Sequence, residues 1–109
     1  MADQTFAVTV VASGGGNRYR FDGGLLDAQT LSLTEGKTYR FTQEDSSNTG
    51  HPLRFSTTPD GTHNNGTEYT TGVTTAGTPG SAGAYTEITV AYQAPLLFYY
   101  CSVHSGMGG

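Results

Sequence analysis

A chain of 109 residues builds one small domain around a single core and leaves no room for a second. Its 16 glycines, abundant threonine, 11% aromatic and only 13% charged residues favour short strands and tight turns over helices, and a net charge of −4 with five scattered basic residues excludes the clustered basic face of a nucleic-acid-binding domain. No apolar run reaches the length of a membrane span, the single cysteine excludes an internal disulfide, and the start Met1-Ala-Asp-Gln4 lacks the basic and apolar regions of a secretory signal, which leaves the compartment open.

Gln4 to Ala12 alternates as a half-buried strand with Phe6, Val8 and Val10 on one face, and Ser13-Gly-Gly-Gly16 breaks it. Arg18 to Phe21 alternates charge with aromatic rings, which places Tyr19 and Phe21 in the core and both arginines in water. Asp22-Gly-Gly24 supplies the turn that follows. Thr30 to Leu33 and Thr38 to Thr42 have period-2 patterns on either side of Glu35-Gly36, which predicts a hairpin. Gln43 to Gly50 contains no apolar residue and predicts an exposed loop that delivers His51 to the start of a strand with Leu53 and Phe55 in the core.

Thr57 to Gly66 is dense in turn residues and predicts a long surface loop of little internal order, with His63 solvated on it. Glu68 to Thr75 is Thr-rich and weakly alternating, as in an edge strand, and Gly77 to Gly83 is a loop. Ala84 to Ala91 is a strand with Ile88 and Val90 on its apolar face. Tyr92 to Pro95 turns the chain into Leu96 to Tyr100, the most apolar run, predicted as a central strand that ends on Cys101. About eight short strands with closely spaced turn signals define an all-β class, an antiparallel Greek-key β-sandwich spanning 1–109.

Residues 101–109, Cys-Ser-Val-His-Ser-Gly-Met-Gly-Gly, set a thiol, an imidazole and a thioether three residues apart. Taken singly, Cys101 is a buried thiol, His104 a surface residue and Met107 a core filler. Taken together they are a donor set that suits copper, with zinc or an empty site as the alternatives. A fourth donor must come from far back in the chain, and His51, at the entrance to an apolar strand, is favoured over His63. Gly106, Gly108 and Gly109 let one loop bend around an ion. Two imidazoles and a thiolate in a trigonal plane, with a distant thioether on its axis, suit both oxidation states of copper, so electron transfer needs little rearrangement. No Ser-His-Asp set, carboxylate pair or phosphate loop accompanies these residues, and an enzyme is not expected.

Phe98 to Met107 resembles the copper-binding end of the cupredoxins, the type 1 blue copper proteins of the plastocyanin, pseudoazurin and amicyanin kind, and its two-residue gap between His and Met is most similar to amicyanin. Leu33 to Ser56 is similar to the family's segment with the first histidine, and the spacing from His51 to Cys101 matches as well, so the resemblance covers about the whole chain. It implies His51, Cys101 and His104 as strong ligands and Met107 as a weak axial one. It further implies one ion cycling between Cu(I) and Cu(II), and electron exchange with redox protein partners through the edge of His104, among Val103, Gly106 and Pro52.

The sequence departs from that pattern twice. Pro52 stands where many members carry an Asn that ties the two ligand segments together, so that lock is absent or supplied by another residue. The family's final strand, after the Met, is not in this sequence. One sheet edge is then open to a partner chain or a following domain, or the Met107 loop is a loose end. The ending and the Thr- and Gly-rich loops also resemble cupredoxin-like modules of marine viral and metagenomic structural proteins, which implies a structural or adhesion module with copper stabilising or incidental. A copper carrier with a more open site is a third expectation. Glu44, Asp45 and Asp60 form either an acidic docking patch or an ordinary solvated surface.

Overall fold

The alternating segments become eight strands in the computed structural model, which describes residues 2–13, 16–24 and 30–109. They are β1 (Gln4–Ser13), β2 (Gly16–Phe21), β3 (Thr38–Thr42), β4 (Leu53–Ser56), β5 (Glu68–Tyr69), β6 (Val73–Ala76), β7 (Tyr85–Thr89) and β8 (Phe98–Cys101). One sheet has five strands in the order β2-β1-β3-β7-β6, and a second has three in the order β5-β4-β8. Helical structure among the described residues is confined to two 3-10 turns, Ser46–Asn48 and Gly61–Asn64, so no described helix is long and apolar enough to cross a membrane. Gly14 and Gly15, in the break expected after Ala12, lie outside the described residues.

The two sheets share one core because each strand turns its apolar set inward. Phe6, Val8, Tyr19, Phe21, Tyr39, Phe41 and Ile88 from the larger sheet are buried with Leu53, Phe55, Tyr99 and Cys101 from the smaller one. Aromatic rings join them edge to face: Phe41 meets Phe55 at 5.6 Å between centroids, and Phe21 meets Tyr99 at 5.1 Å. Such pairs add to the area term a preference for one mutual orientation of the sheets.

Several sequence expectations change at the level of strand pairing. Thr30 to Leu33 is not a strand and does not form a hairpin with β3. Both edges of β3 are already taken, by β7 antiparallel and by β1 in parallel, with Phe6 opposite Phe41. Leu31 and Leu33 pack against the core from a loop instead, and the Tyr39 hydroxyl accepts the Thr34 N–H at 2.7 Å. The parallel β1–β3 pair also means that the sheets are not wholly antiparallel.

The single edge strand expected over Glu68 to Thr75 is two strands in different sheets, β5 beside β4 and β6 beside β7. Gly72 sits at the crossing with φ +70°, where a Cβ would stand 2.4 Å from the Thr89 carbonyl oxygen, so the chain changes sheets where only glycine fits. The apolar run Leu96 to Tyr100 is not central. Leu96 is 78% exposed, and β8 is an outer strand of its sheet, bonded to β4 alone among the described strands. Its apolarity reflects burial of Tyr99, Tyr100 and Cys101 under neighbouring loops and the other sheet.

Phe41, fully buried where the two sheets meet, tests this account of the core. Phe41→Ala is expected to cost about 3–5 kcal/mol of unfolding free energy, whereas Thr74→Ala, on the exposed face of β6, should stay within about 0.5 kcal/mol. Urea unfolding followed by aromatic fluorescence separates the two.

Candidate metal centre

The ladder between β4 and β8 decides which residues meet at the end of the molecule. Leu53 pairs with Cys101, and the pairing runs one step further as the Ser102 N–H donates to the Pro52 carbonyl at 3.1 Å. This register carries His51 past the end of β4 to lie beside the turn that leaves β8. That turn brings His104 back, so Cys101 Sγ lies 3.8 Å from Nδ1 of His51 and 3.9 Å from Nδ1 of His104. The two imidazoles face each other with centroids 4.7 Å apart at 46°.

His51, Cys101 and His104 are close enough to hold a metal ion, with all ligand atoms within 4.8 Å of one another. Metal–sulfur and metal–nitrogen bonds of about 2.3 and 2.05 Å span about 3.8 Å at a 120° angle and about 3.6 Å at the tetrahedral angle. Each sulfur-to-nitrogen separation therefore matches one metal–sulfur and one metal–nitrogen bond at an angle near 120°.

Burial divides the donors. Cys101 and Met107 are fully buried, His51 is half-buried and His104 is exposed. Burial, and then the neighbouring His104, lower the His51 pKa from its ordinary value, so the imidazole is neutral and its lone pair available near pH 7. The Tyr19 phenol is held well above its usual range by burial first and the nearby Cys101 sulfur second, and it stays a neutral hydrogen-bond donor.

Met107 is not a loose end. It lies in the same apolar cluster as Cys101, and its carbonyl accepts the Tyr19 N–H of β2 at 3.0 Å. Gly106, at φ +76°, turns the chain inward, and the Gly109 carbonyl then accepts the Tyr99 N–H at 3.0 Å, which occupies part of the outer edge of β8. A Cβ on Gly108 would stand 1.8 Å from the Tyr99 carbonyl oxygen, so the backbone passes β8 at a distance closed to any side chain.

The polar stretch before His51 is exposed at Glu44, Asp45, Ser46, Thr49 and Gly50, as its composition suggests, but not throughout. Gln43 and Asn48 are buried. The Gln43 amide donates to the His51 carbonyl at 2.7 Å and to Asn48 Oδ1 at 3.2 Å, while its own oxygen accepts the Leu53 N–H at 3.0 Å. Asn48 donates to the Val8 carbonyl at 2.8 Å, and the Tyr19 hydroxyl adds a second bond to the His51 carbonyl at 2.7 Å. Asp45 caps the short turn through the Ser47 N–H at 3.0 Å. Sequence reasoning missed Gln43 and Asn48 because amides count as polar; the available signal was Asp45-Ser-Ser-Asn48, a capped turn immediately before a candidate ligand.

His63 is exposed as expected, and it also places Nε2 2.8 Å from the Cys101 carbonyl oxygen. The three carboxylates considered as a docking patch are each engaged with backbone: Glu44 with the Gly83 N–H, Asp45 with Ser47, and Asp60 with the Gly106 N–H at 2.9 Å. Compared with family models, with curated proteins and with solved structures, the chain matches none.

Two outcomes follow from this geometry. The folded-state pKa of His51 lies below its ordinary 6.5, so below about pH 6.5 the unfolded chain takes up a proton that the folded chain refuses. The metal-free protein should therefore hold its stability above that pH and lose it as pH falls towards the folded pKa, and His51→Gln should flatten the loss in urea midpoints measured from pH 7.5 to 5.5. Gly108→Ala should displace the Met107 segment from β8 and cost about 2–4 kcal/mol, read by the same unfolding assay.

Proposed function

We propose that this chain is a cupredoxin-like electron carrier, a Greek-key β-sandwich that holds one copper ion through His51, Cys101 and His104 with Met107 as a weak axial donor. The observation that carries the proposal is a buried cysteine sulfur with two imidazole Nδ1 atoms at 3.8 and 3.9 Å, all at one end of a two-sheet β domain. Copper bound there supplies a one-electron couple whose two states accept the same soft and borderline donors.

The chain's own contribution is positioning and exclusion of water. Tyr19 and Gln43 fix the His51 backbone, the β4–β8 ladder fixes Cys101, and the inward turn at Gly106 buries Met107. Donors held this firmly move little between redox states, which keeps the barrier to transfer low. His104 and Val103 lie at the surface, the latter 57% exposed, next to the half-buried Pro52. This small apolar rim around an exposed imidazole edge gives a redox protein partner a short path to the site. The alternative of a structural or adhesion module draws support from the outer position of β8 and the exposed Leu96 just before it. Self-association through that edge, with no reversible one-electron response, would favour the alternative.

Addition of one equivalent of Cu(II) should produce an intense visible thiolate-to-copper absorption with a narrow electron-paramagnetic-resonance hyperfine splitting. Cys101→Ser should abolish the band, and His104→Ala should weaken copper binding by more than about 100-fold. Met107→Leu should keep the band and raise the midpoint potential, since loss of a donor disfavours the more highly charged oxidised ion. Copper binding with no such band, unchanged in Cys101→Ser, would overturn the proposal.

A further inference from the structure

Pro52 has neither an N–H nor a polar side-chain atom, so the link it offers between the two ligand segments is its carbonyl, which accepts from Ser102. A third segment reaches the ligand loop instead. The turn from Asp60 to Asn65 is held by backbone bonds of its own, Gly61 N–H to Thr58 and Gly66 N–H to Gly61, with Asp60 and Asn65 both left-handed, at φ +62° and +61°. It sits flat against β8: Gly61 is buried, and a Cβ there would come within 2.6 Å of the Tyr100 ring. The His63 ring stands edge-on to the same tyrosine, 6.2 Å between centroids.

From this seat, two side chains reach the two ends of the ligand loop. His63 Nε2 is 2.8 Å from the Cys101 carbonyl oxygen, and Asp60 Oδ1 accepts the Gly106 N–H at 2.9 Å. A carbonyl oxygen only accepts, so Nε2 of His63 carries the hydrogen. Gly106 is the residue whose left-handed backbone turns Met107 into the core, and the Cys101 carbonyl is where the loop departs from β8.

We propose that Asp60 and His63 are positioning residues: together they clasp the Cys101–Gly106 loop from outside, holding its donors in place before an ion arrives and providing the side-chain lock that Pro52 cannot. This role rests on the copper site proposed above. The entropy of ordering the loop is then spent in folding and not in binding. Hydrogen-bonding partners behind metal ligands are typically worth about 10–100-fold in affinity, which sets the size of the expected effect.

The test uses His63→Phe, which keeps a ring against Tyr100 without the donor, His63→Gln, which restores an N–H donor, and Asp60→Ala. In the copper-loaded protein, His63→Phe and Asp60→Ala should each release copper to a chelator about 10-fold faster and shift the charge-transfer band, while His63→Gln should return to within about 3-fold of wild type. In the metal-free protein, Asp60→Ala should speed amide exchange at Gly106 about 10-fold and leave the Phe41 amide unchanged. A wild-type band with unaltered release and spectra in both variants would overturn the clasp and leave the copper site standing. Equal acceleration at Gly106 and Phe41 would reduce Asp60 to a general stabiliser and likewise overturn it. A wild-type protein with no band would remove the copper site itself, and Gly106 exchange unchanged in Asp60→Ala would remove the clasp independently.

Discussion

The carbonyl oxygen of His51 accepts two hydrogen bonds of 2.7 Å, one from the Tyr19 hydroxyl and one from the Gln43 amide, and the site depends on this one atom. Tyr19 belongs to β2 and Gln43 follows β3, both in the larger sheet, whereas His51 leads into β4 of the smaller sheet. Aromatic packing brings the sheets together, but packing alone leaves room for sliding. A part-buried carbonyl with two fixed donors does not, since sliding would break both bonds at a cost of about 0.5–1.5 kcal/mol each. The polar stitch thus sets where His51 stands, and the apolar core sets how far the sheets lie apart.

Much of the strand content was legible from alternation. Phe6 and Val8, Tyr19 and Phe21, Tyr39 and Phe41, and Leu53 and Phe55 all face inward as their spacing requires. The larger miss was partnership. Thr30 to Leu33 carries a strand-like pattern, yet β1 and β7 occupy both edges of β3, and nothing local to either segment encodes that competition. The division of Glu68 to Thr75 between two sheets was hidden for the same reason. Three of the four candidate donors were legible because one loop carries them. His51 was legible as the histidine opening an apolar strand. The residues behind the donors were not: Gln43 and Asn48 look like surface residues until their amides are seen to satisfy backbone groups, and His63 is brought to Cys101 by a turn that composition marks only as loop.

Uneven burial of the donors gives the end of the molecule its character. Cys101 and Met107 lie in the apolar cluster, where the thiol and thioether are shielded from water, while His104 and Val103 meet solvent. Shielding and contact are therefore assigned to different residues of one short loop. The carboxylates of Glu44, Asp45 and Asp60 accept N–H bonds from Gly83, Ser47 and Gly106, which fixes where these charges stand without neutralising them.

The parallel pairing of β1 with β3, and the antiparallel pairing of β8 with β4 from far earlier in the chain, bear on the order of assembly. Parallel neighbours require a crossover, and distant partners require long loops to close before their contacts can compensate. The donor atoms come from opposite ends of one such closure, and half-folded forms in which β4 and β8 have not met contain no complete site. An ion bound by all of them would therefore distinguish the native chain from its near-native competitors, and by mass action it would deepen the one basin in which the topology is complete.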